Sequence, residues 1–301
     1  MRKLLLLPLL FITVISFGQS NNYSLEFDGT NDYVELSNDY DYPSKTISLS
    51  VNVVSYPVSS SIGMLYMATN SMNIYGLNQI TLKPDGSIGY QIGSNSGQSS
   101  NIMPLNEWIN ITLTIDALYA KLYLNGTIDD SVSFSNTAGT NTLDNITFGC
   151  FKTQATTNRF FNGLLDDICV WNIALDSNQI QQYMDCPPTG NEPGLAGYWN
   201  FEAHEADSYE YGAECFDGID NNFDANIDAG DPDCQTIIEL DWTSNQNNGI
   251  VIGGMYSTDV PPYNCCAINP ITSQPTNQST SIGNNATISF TDNLTGAGES
   301  L

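Results

Sequence analysis

The sequence predicts an all-β protein built as a sandwich of two antiparallel sheets, and three observations carry this prediction. From residue 23 to about residue 170, short alternations of apolar and polar residues are broken by Gly, Asn, Asp and Ser. The segment 106–126 contains two alternating stretches that flank a turn, and the segment 161–171 contains another. Short strands bounded by turn residues are typical of all-β sandwiches.

The first part of the predicted sandwich begins with FDGTNDYVEL at 27–36, where apolar strand residues surround a turn rich in Asp, Asn and Gly. The next strand alternates apolar and polar residues over 47–53, so one of its faces is expected to be buried. A hairpin is predicted over 80–92, because a Pro-Asp-Gly turn at 84–86 divides it.

The middle of the chain predicts a second hairpin, over 106–126. Its first strand carries four apolar residues on one face: Ile109, Ile111, Leu113 and Ile115. A turn at 117–120 leads into a second strand, which ends at the turn signal Asn125-Gly126.

Three further strands and one helix follow. The strands are predicted at 145–149, 163–171 and 194–203. A short amphipathic helix is predicted over 176–184, because Asp176 is a suitable N-cap and Gln179 completes a capping box.

Two of these segments, FDGTNDYVEL at 27–36 and FNGLLDDICVWNIALDSNQI at 161–180, together resemble laminin-G-like and pentraxin-like domains. The hairpin at 106–126 resembles the central "tryptophan, then YVNG" hairpin of that family, and 245–261 resembles its closing strand. The resemblance implies a concanavalin A-like jelly roll of the kind common in secreted bacterial proteins. It also implies a function in recognition outside the cell rather than in catalysis.

The chain is expected to fall into three parts. Residues 1–18 are predicted to be a cleaved secretory signal, since two basic residues precede an apolar run and a small-residue end. The jelly roll is expected over 19–264, interrupted by an acidic insert at 207–235. Residues 265–301 resemble a linker and the incomplete start of an immunoglobulin-like domain, so the chain is inferred to be a fragment or to pack its final strands elsewhere.

The charge of the chain restricts its partners. The sequence has 33 acidic and 7 basic residues, and cleavage of the signal would remove two of the basic ones. Such a surface repels phosphate backbones and anionic lipid, so nucleic acid is not expected as a partner. Calcium is a natural counterion, although acidity also simply keeps a secreted protein soluble. After the signal no apolar run is long enough to span a bilayer, so no membrane insertion is expected.

The acidic insert contains the strongest single motif, CFDGIDNNFDANIDAGDPDC at 215–234. Its oxygen-bearing residues follow the spacing of an EF-hand calcium loop: Asp220, Asn222, Asp224, Asn226, Asp228 and Asp231. The motif also resembles short metal-binding repeats that lie between cysteines in secreted bacterial proteins. Ala225 replaces the usual Gly, and Asp231 is shorter than the usual Glu, so weak extracellular affinity is expected. The alternative is a solvated acidic loop.

A second calcium site is implied by the family resemblance alone. In laminin-G-like jelly rolls an early Asp and the Asp of the "G-I-D-D" strand often lie together at the rim of the sandwich. The corresponding residues are Asp28 or Asp32 and Asp166. The alternative, that these residues belong to an ordinary turn and a strand end, stays equally open.

The seven cysteines of a chain expected to be exported predict disulfides rather than a thiol catalyst. The first predicted bridge joins Cys215 to Cys234, because they bracket the acidic loop. Two further bridges are predicted: Cys186 with Cys265, which would tie the segment after the helix to the closing strand, and Cys150 with Cys169, across neighbouring strands. Cys266 is then the unpaired cysteine.

Catalysis has no positive support in the sequence. Laminarinase-type hydrolases with the concanavalin fold place their catalytic carboxylates as E-x-D-x-x-E on one strand. This sequence contains no such run. His204 has no neighbouring Ser or Cys nucleophile pattern and is predicted to be a solvated strand-end residue. Trp108, Trp171 and Trp199 are predicted to be structural, in core positions, so the sequence places no sugar site.

The expected function is therefore that of a secreted or cell-surface, calcium-binding module for carbohydrate binding or adhesion. Its partner would be an extracellular glycan or a surface protein. The alternatives are a structural spacer in a larger surface protein, or an accessory part of a polysaccharide-degrading enzyme.

Overall fold

The computed structural model describes residues 23–36, 45–69, 78–133, 145–153, 155–202 and 238–263. The chain divides after Asn264 into two units, and all the described residues lie in the first. The predicted signal segment, the core of the acidic insert and residues 265–301 lie outside the described residues. No described helix is long and apolar enough to cross a membrane.

The described residues form eighteen strands and one helix. In chain order these are β1 (Ser24–Asp28), β2 (Tyr33–Leu36), β3 (Lys45–Val53), β4 (Gly63–Thr69), β5 (Asn78–Leu82), β6 (Ser87–Ile92), β7 (Asn95–Ile102), β8 (Trp108–Ile115), β9 (Tyr119–Leu124), β10 (Thr127–Ser133), β11 (Asn145–Phe148), β12 (Phe151–Lys152), β13 (Thr157–Asn158), β14 (Asn162–Trp171), α1 (Ser177–Asp185), β15 (Leu195–Trp199), β16 (Ile238–Glu239), β17 (Gly249–Ile252) and β18 (Met255–Ser257).

Two large antiparallel sheets form a sandwich, which confirms the predicted all-β, concanavalin-like jelly roll. The first sheet has the order β10–β9–β8–β3–β14–β1–β18, and β15 pairs with the second half of β14. The second sheet has the order β16–β17–β2–β11–β4–β5–β6–β7. The short pair β12–β13 forms a separate hairpin.

The core lies between the two sheets and follows from the alternation of each strand. Every second residue of β3 is fully buried in it: Ile47, Leu49, Val51 and Val53. On the facing sheet, Ile80, Leu82 and Ile88 are equally buried. Trp199 also lies in this core, 5.2 Å from the ring centroid of Phe148. Burial of these apolar faces is the main stabilising contribution to a fold of this kind.

The predicted hairpin at 106–126 is confirmed as β8 and β9, paired with Ile111 opposite Leu124. Asn125 and Gly126 both have positive φ (47° and 71°), as the two-residue turn into β10 requires. The predicted helix is confirmed as α1. The carboxylate of Asp176 accepts hydrogen bonds from the backbone N–H groups of Asn178 and Gln179, at 2.9 and 3.0 Å.

The closing segment 245–261 was expected to form one strand, and the structure divides it into two. β17 pairs with β2 in the second sheet, whereas β18 pairs with β1 in the first. The chain crosses between the sheets at Gly253, whose φ is 79° and where a Cβ atom would lie 2.1 Å from a carboxylate oxygen of Asp32. The strands on either side of the acidic insert also belong to different sheets: β15 lies in the first sheet and β16 in the second.

Candidate functional site

The outer face of the first sheet is covered by helix α1. Alternation along β14 points Cys169 and Trp171 away from the inter-sheet core, and they join an outer apolar cluster beneath Ile180 of the helix. The ring of Trp171 packs on Tyr183 with centroids 4.5 Å apart. This part of the face is closed by apolar packing and is not free to bind a large ligand.

The segment around Asp259 covers a second part of the same face. Its carboxylate accepts hydrogen bonds from the indole N–H of Trp108 at 2.9 Å and from the side-chain amide of Asn52 at 3.3 Å. Trp108 is half-buried on this outer face, so its predicted core position is wrong, whereas Trp171 and Trp199 are buried as predicted. Trp108 starts its strand on the side that faces away from the opposing sheet.

A small cavity lies between the first sheet and α1. Its lining combines the polar outer residues Ser48, Asn110 and Thr112 with Trp171 and with Tyr263, whose hydroxyl is buried without a partner. The cavity measures about 20 Å³. A volume of this order accepts a water molecule. It does not accept a sugar ring, so the cavity belongs to the packing of the helix.

The outer face of the second sheet carries polar side chains along β5, β6 and β7. The side-chain amide of Gln79 donates to the amide oxygen of Gln91 at 2.7 Å. The next row contains Thr81 and Gly89, and the ammonium of Lys83 contacts the amide oxygen of Gln98. Neighbouring strands hold these groups in a fixed geometry, because Gln79 lies in register with Gln91, and Gly89 lies in register with both Thr81 and Gln98.

The β12–β13 hairpin stands beside this polar surface. Phe151 of the hairpin packs on Met64 and Met67 of β4. The guanidinium of Arg159 lies over the ring of Phe151, with its central carbon 4.7 Å from the ring centroid. We call Gln79, Thr81, Gln91 and Gln98, together with the hairpin residues Phe151 and Arg159, the open face.

On the other side of the same hairpin, Lys152 contacts β2. Its ammonium lies 2.5 Å from the carboxylate of Glu35 and 4.8 Å from the ring centroid of Tyr33. This pair anchors the hairpin to the sheet. The open face therefore offers planar amides and a cation on rigid elements, whereas Thr81 and Phe151 are buried within it. Amides and cations at fixed positions can bind small polar ligands.

The structure does not bring the aspartates of the family-implied calcium site together. The carboxylate of Asp32 accepts from the backbone N–H of Asp28 at 2.8 Å, and Asp28 accepts from the backbone N–H of Thr30 at 2.6 Å. Asp28 lies opposite Asn162 of β14, and Asp166 is four residues further along that strand. At the rise of a β-strand, four residues span about 13 Å. Asp28 and Asp32 share one turn, and Asp166 does not approach it. Among the described residues, no group of three or more His, Cys, Asp or Glu side chains is arranged to hold a metal ion.

Asp166 lies instead near two carboxylates that the sequence did not single out, Glu202 and Glu239. Asp166 and Glu239 are only 1% and 2% exposed. Burial raises the pKa of Glu202 and of Glu239 to about 8, and burial together with the neighbouring carboxylates raises the pKa of Asp166 well above its ordinary value. Glu239 accepts hydrogen bonds from the backbone N–H of Phe201 at 3.0 Å and from the hydroxyl of Tyr256 at 3.1 Å. This cluster was missed by the sequence analysis, because its members are far apart in the chain.

The predicted bridge between Cys150 and Cys169 is not formed. Both cysteines are buried and free. Cys150 follows β11 of the second sheet, whereas Cys169 on β14 faces outward from the first sheet into the cluster under α1. The two side chains therefore lie on different sides of the first sheet, and the pairing was wrong. Cys186 ends helix α1, and its predicted partner Cys265 lies outside the described residues.

The predicted calcium loop from Asp220 to Asp231 also lies outside the described residues, together with Cys215, Cys234 and His204. The spacing of the loop therefore stays a prediction. The open face was missed by the sequence analysis. Glutamines and threonines on outward positions of β5 and β6 were its only sequence signal.

Comparison with known proteins identifies related folds. The family model described as the concanavalin A-like lectin/glucanases superfamily matches residues 28–181, just over half of the chain. A candidate carbohydrate-binding protein from Bacteroides ovatus superposes with a TM-score of 0.54 at 16% identity, over 81% of this chain and 62% of that protein. A heptameric SAP-like pentraxin from Limulus polyphemus gives a TM-score of 0.46 at 15% identity, over 56% of this chain and 83% of that one.

Among curated proteins, botulinum neurotoxin type E from Clostridium butyricum is 30% identical over 135 residues. The match covers 43% of this chain and 10% of the toxin. The chain therefore corresponds to a small part of that relative. At 16% identity, the likeness to the Bacteroides ovatus protein shows the fold alone.

Proposed function

Because this chain belongs to the concanavalin A-like lectin/glucanase superfamily, we propose that it is a non-catalytic carbohydrate-binding module whose site is the open face. One observation carries the proposal. Amide side chains of Gln79 and Gln91 stand in register on the outer side of the second sheet, beside the buried cluster of Met64, Met67 and Phe151 that fixes the hairpin there. Planar amides pair with sugar hydroxyls, because each amide both donates and accepts hydrogen bonds.

The other outer face supports the same choice. The first sheet is covered by α1 and by the segment around Asp259, and the cavity between them is too small for a sugar. The structural likeness to the candidate carbohydrate-binding protein from Bacteroides ovatus is consistent with the proposal.

A glycan array followed by calorimetry on the full chain tests the proposal. We expect binding of at least one plant or bacterial oligosaccharide, and we expect the double variant Gln79→Ala, Gln91→Ala to lose most of it. The matched control is Gln181→Ala on α1, which removes an exposed amide from the opposite side of the sandwich. Loss of binding in the control alone, or no binding by the folded wild-type chain, would contradict the proposal. The second of these results would favour the spacer role.

We also propose that the chain is secreted, on the basis of the signal-like segment at 1–18. From residue spacing we propose that it binds Ca²⁺ at Asp220, Asn222, Asp224, Asn226, Asp228 and Asp231. A ligand that binds only the folded state raises the melting temperature as its concentration rises. We expect millimolar Ca²⁺ to raise the melting temperature of the full chain and Mg²⁺ to raise it less, because Mg²⁺ gives up its water reluctantly. The Asp220→Ala, Asp224→Ala variant should lose most of this rise. No calcium binding by calorimetry at millimolar concentration would leave the loop as a solvated acidic segment.

A further inference from the structure

Basic residues are scarce in this chain, and their distribution over the fold is uneven. Beyond the predicted signal segment only five remain among 33 acidic residues: Lys45, Lys83, Lys121, Lys152 and Arg159. Lys83, Lys152 and Arg159 lie on the outer side of the second sheet. Three of these five basic residues of a strongly acidic chain therefore lie on or beside the open face.

These three cations differ in what they contact. Lys152 is paired with the carboxylate of Glu35. Lys83 contacts the neutral amide of Gln98, and its charge also acts on the nearby carboxylate of Asp85. The exposed guanidinium of Arg159 forms no ion pair with a carboxylate within the described segments. It lies over the ring of Phe151. Stacking on a ring orients the plane of a guanidinium and leaves its N–H edge free for a planar, two-oxygen acceptor.

The backbone holds Arg159 at this place. Its φ is 58°, in the left-handed region, and its carbonyl accepts a hydrogen bond from the backbone N–H of Met64 at 2.9 Å. A non-glycine residue in that region is strained, and such strain is retained preferentially at ligand sites. The position of the guanidinium is therefore set by the fold as well as by the side chain.

A line across the sheet leads from this arginine to Lys83. Met64 on β4 is in register with Thr81, Thr81 with Gly89, and Gly89 with Gln98. Three strand spacings amount to about 14 Å, which is long enough for a short oligosaccharide. At the far end the Lys83 side chain crosses over Gly89, where a Cβ atom would lie 2.7 Å from the Cε of Lys83. A side chain at position 89 would displace the lysine.

From this arrangement we propose that the ligand of the open face is an acidic oligosaccharide, a chain of uronic acids, one carboxylate of which binds Arg159 bidentately while another lies near Lys83. The inference rests on the proposed carbohydrate binding and specifies its substrate class. Guanidinium–carboxylate pairs with two parallel hydrogen bonds are among the strongest polar contacts available to a protein. The remaining surface is acidic and repels such a ligand, so binding depends on these two cations.

The test uses matched probes: the trisaccharides of galacturonate and mannuronate, a hyaluronan tetrasaccharide, and the methyl ester of each. The ester keeps the sugar rings and removes the charge. We expect at least one acid to bind the full chain at least tenfold more tightly than its ester. Equal or weaker binding of every acid relative to its ester would overturn the inference.

Three variants locate the effect. Arg159→Gln should weaken binding of the acid at least tenfold and leave binding of the ester unchanged, while Arg159→Lys should lie between wild type and Arg159→Gln. Lys121→Gln is the control, because Lys121 lies over Tyr119 on the first sheet and its loss changes the net charge equally. Equal losses in Arg159→Gln and Lys121→Gln would mean a general charge effect and would overturn the inference. If Arg159→Gln does not fold, the comparison of acid and ester on the wild-type chain decides alone.

These outcomes separate the inference from the proposed function. Neutral glycans that bind, depend on Gln79 and Gln91 and ignore Arg159 would overturn the acidic ligand and keep the carbohydrate-binding role. Absence of any glycan binding would overturn both.

Discussion

The outer faces of the two sheets are built by the same strand alternation and differ in what packs on them. The first sheet places Cys169 and Trp171 outward, and helix α1 covers them. The second sheet places Gln79 and Gln91 outward beside a short hairpin, and no described helix covers these side chains. The difference teaches that the side chains on the outward positions decide whether a helix packs on a sandwich face or leaves its polar groups uncovered.

The largest expected effect comes from breaking the closed face. Trp171 is 1% exposed and packs against Tyr183. We expect Trp171→Ala to lower the free energy of unfolding by about 3–5 kcal/mol, because it removes a large buried ring and leaves a cavity. Denaturant unfolding followed by circular dichroism measures the change. Trp108→Ala on the exposed end of the same sheet should cost clearly less, and equal costs would show that the helix does not seal the face.

The next effect concerns the carboxylates buried near Asp166. The pKa of Glu239 is raised from 4.5 to about 8, so the folded state holds this proton more tightly than the unfolded state does. The free energy of unfolding should therefore fall as the pH rises from about 4.5 to about 8. Glu239→Gln should flatten this dependence, whereas substitution of the exposed Glu107 should not. Urea unfolding at pH 5, 6.5 and 8 distinguishes the two, and a wild-type stability that rises over this range would contradict the expectation.

A smaller effect is expected at the start of the covering helix. The carboxylate of Asp176 caps α1 by accepting two hydrogen bonds from backbone N–H groups of its first turn. Asp176→Ala should lower the free energy of unfolding by about 1 kcal/mol, and Asp176→Asn should be close to neutral, since Asn is an equally good N-cap. Thermal unfolding of the two variants measures the difference. A large loss in both would mean that the charge of Asp176, and not its capping geometry, stabilises the helix.

The smallest effect on stability is expected on the open face. Gln91 is half-buried and outside the core, so Gln91→Ala should change the free energy of unfolding by no more than about 0.5 kcal/mol. The same variant should reduce glycan affinity measured by calorimetry. A substitution that costs as much stability as Asp176→Ala would mean that the amide rows hold the sheet together, and the contrast between the two faces would weaken.

Much of the fold was predictable from local patterns. The alternation of Ile47, Leu49, Val51 and Val53 identifies a strand with one buried face, and the structure buries all four. Asn125-Gly126 and the Asp176–Gln179 capping box identify a tight turn and a helix start, because each requires only residues close in sequence. Such features rest on backbone geometry and nearest-neighbour hydrogen bonds, which a short segment specifies by itself.

The candidate site was not predictable in this way, because its parts are distant in sequence. Gln79 and Gln91 meet Phe151 and Arg159 only after β4, β5 and the hairpin are in register. The same holds for Cys150 and Cys169, which were predicted to pair across neighbouring strands and which the two-sheet arrangement separates.

By itself, the sequence determined the strands, the helix with its cap, the family of the sandwich and the acidic charge that excludes nucleic acid as an expected partner. Only the tertiary structure decided that 245–261 crosses between sheets, that Asp166 lies away from Asp28, and which sheet face the described helix covers. The physical reason is that periodicity reports which side of a strand is buried. Which strands become neighbours, and what then covers their outer side, depends on contacts between residues far apart in the chain.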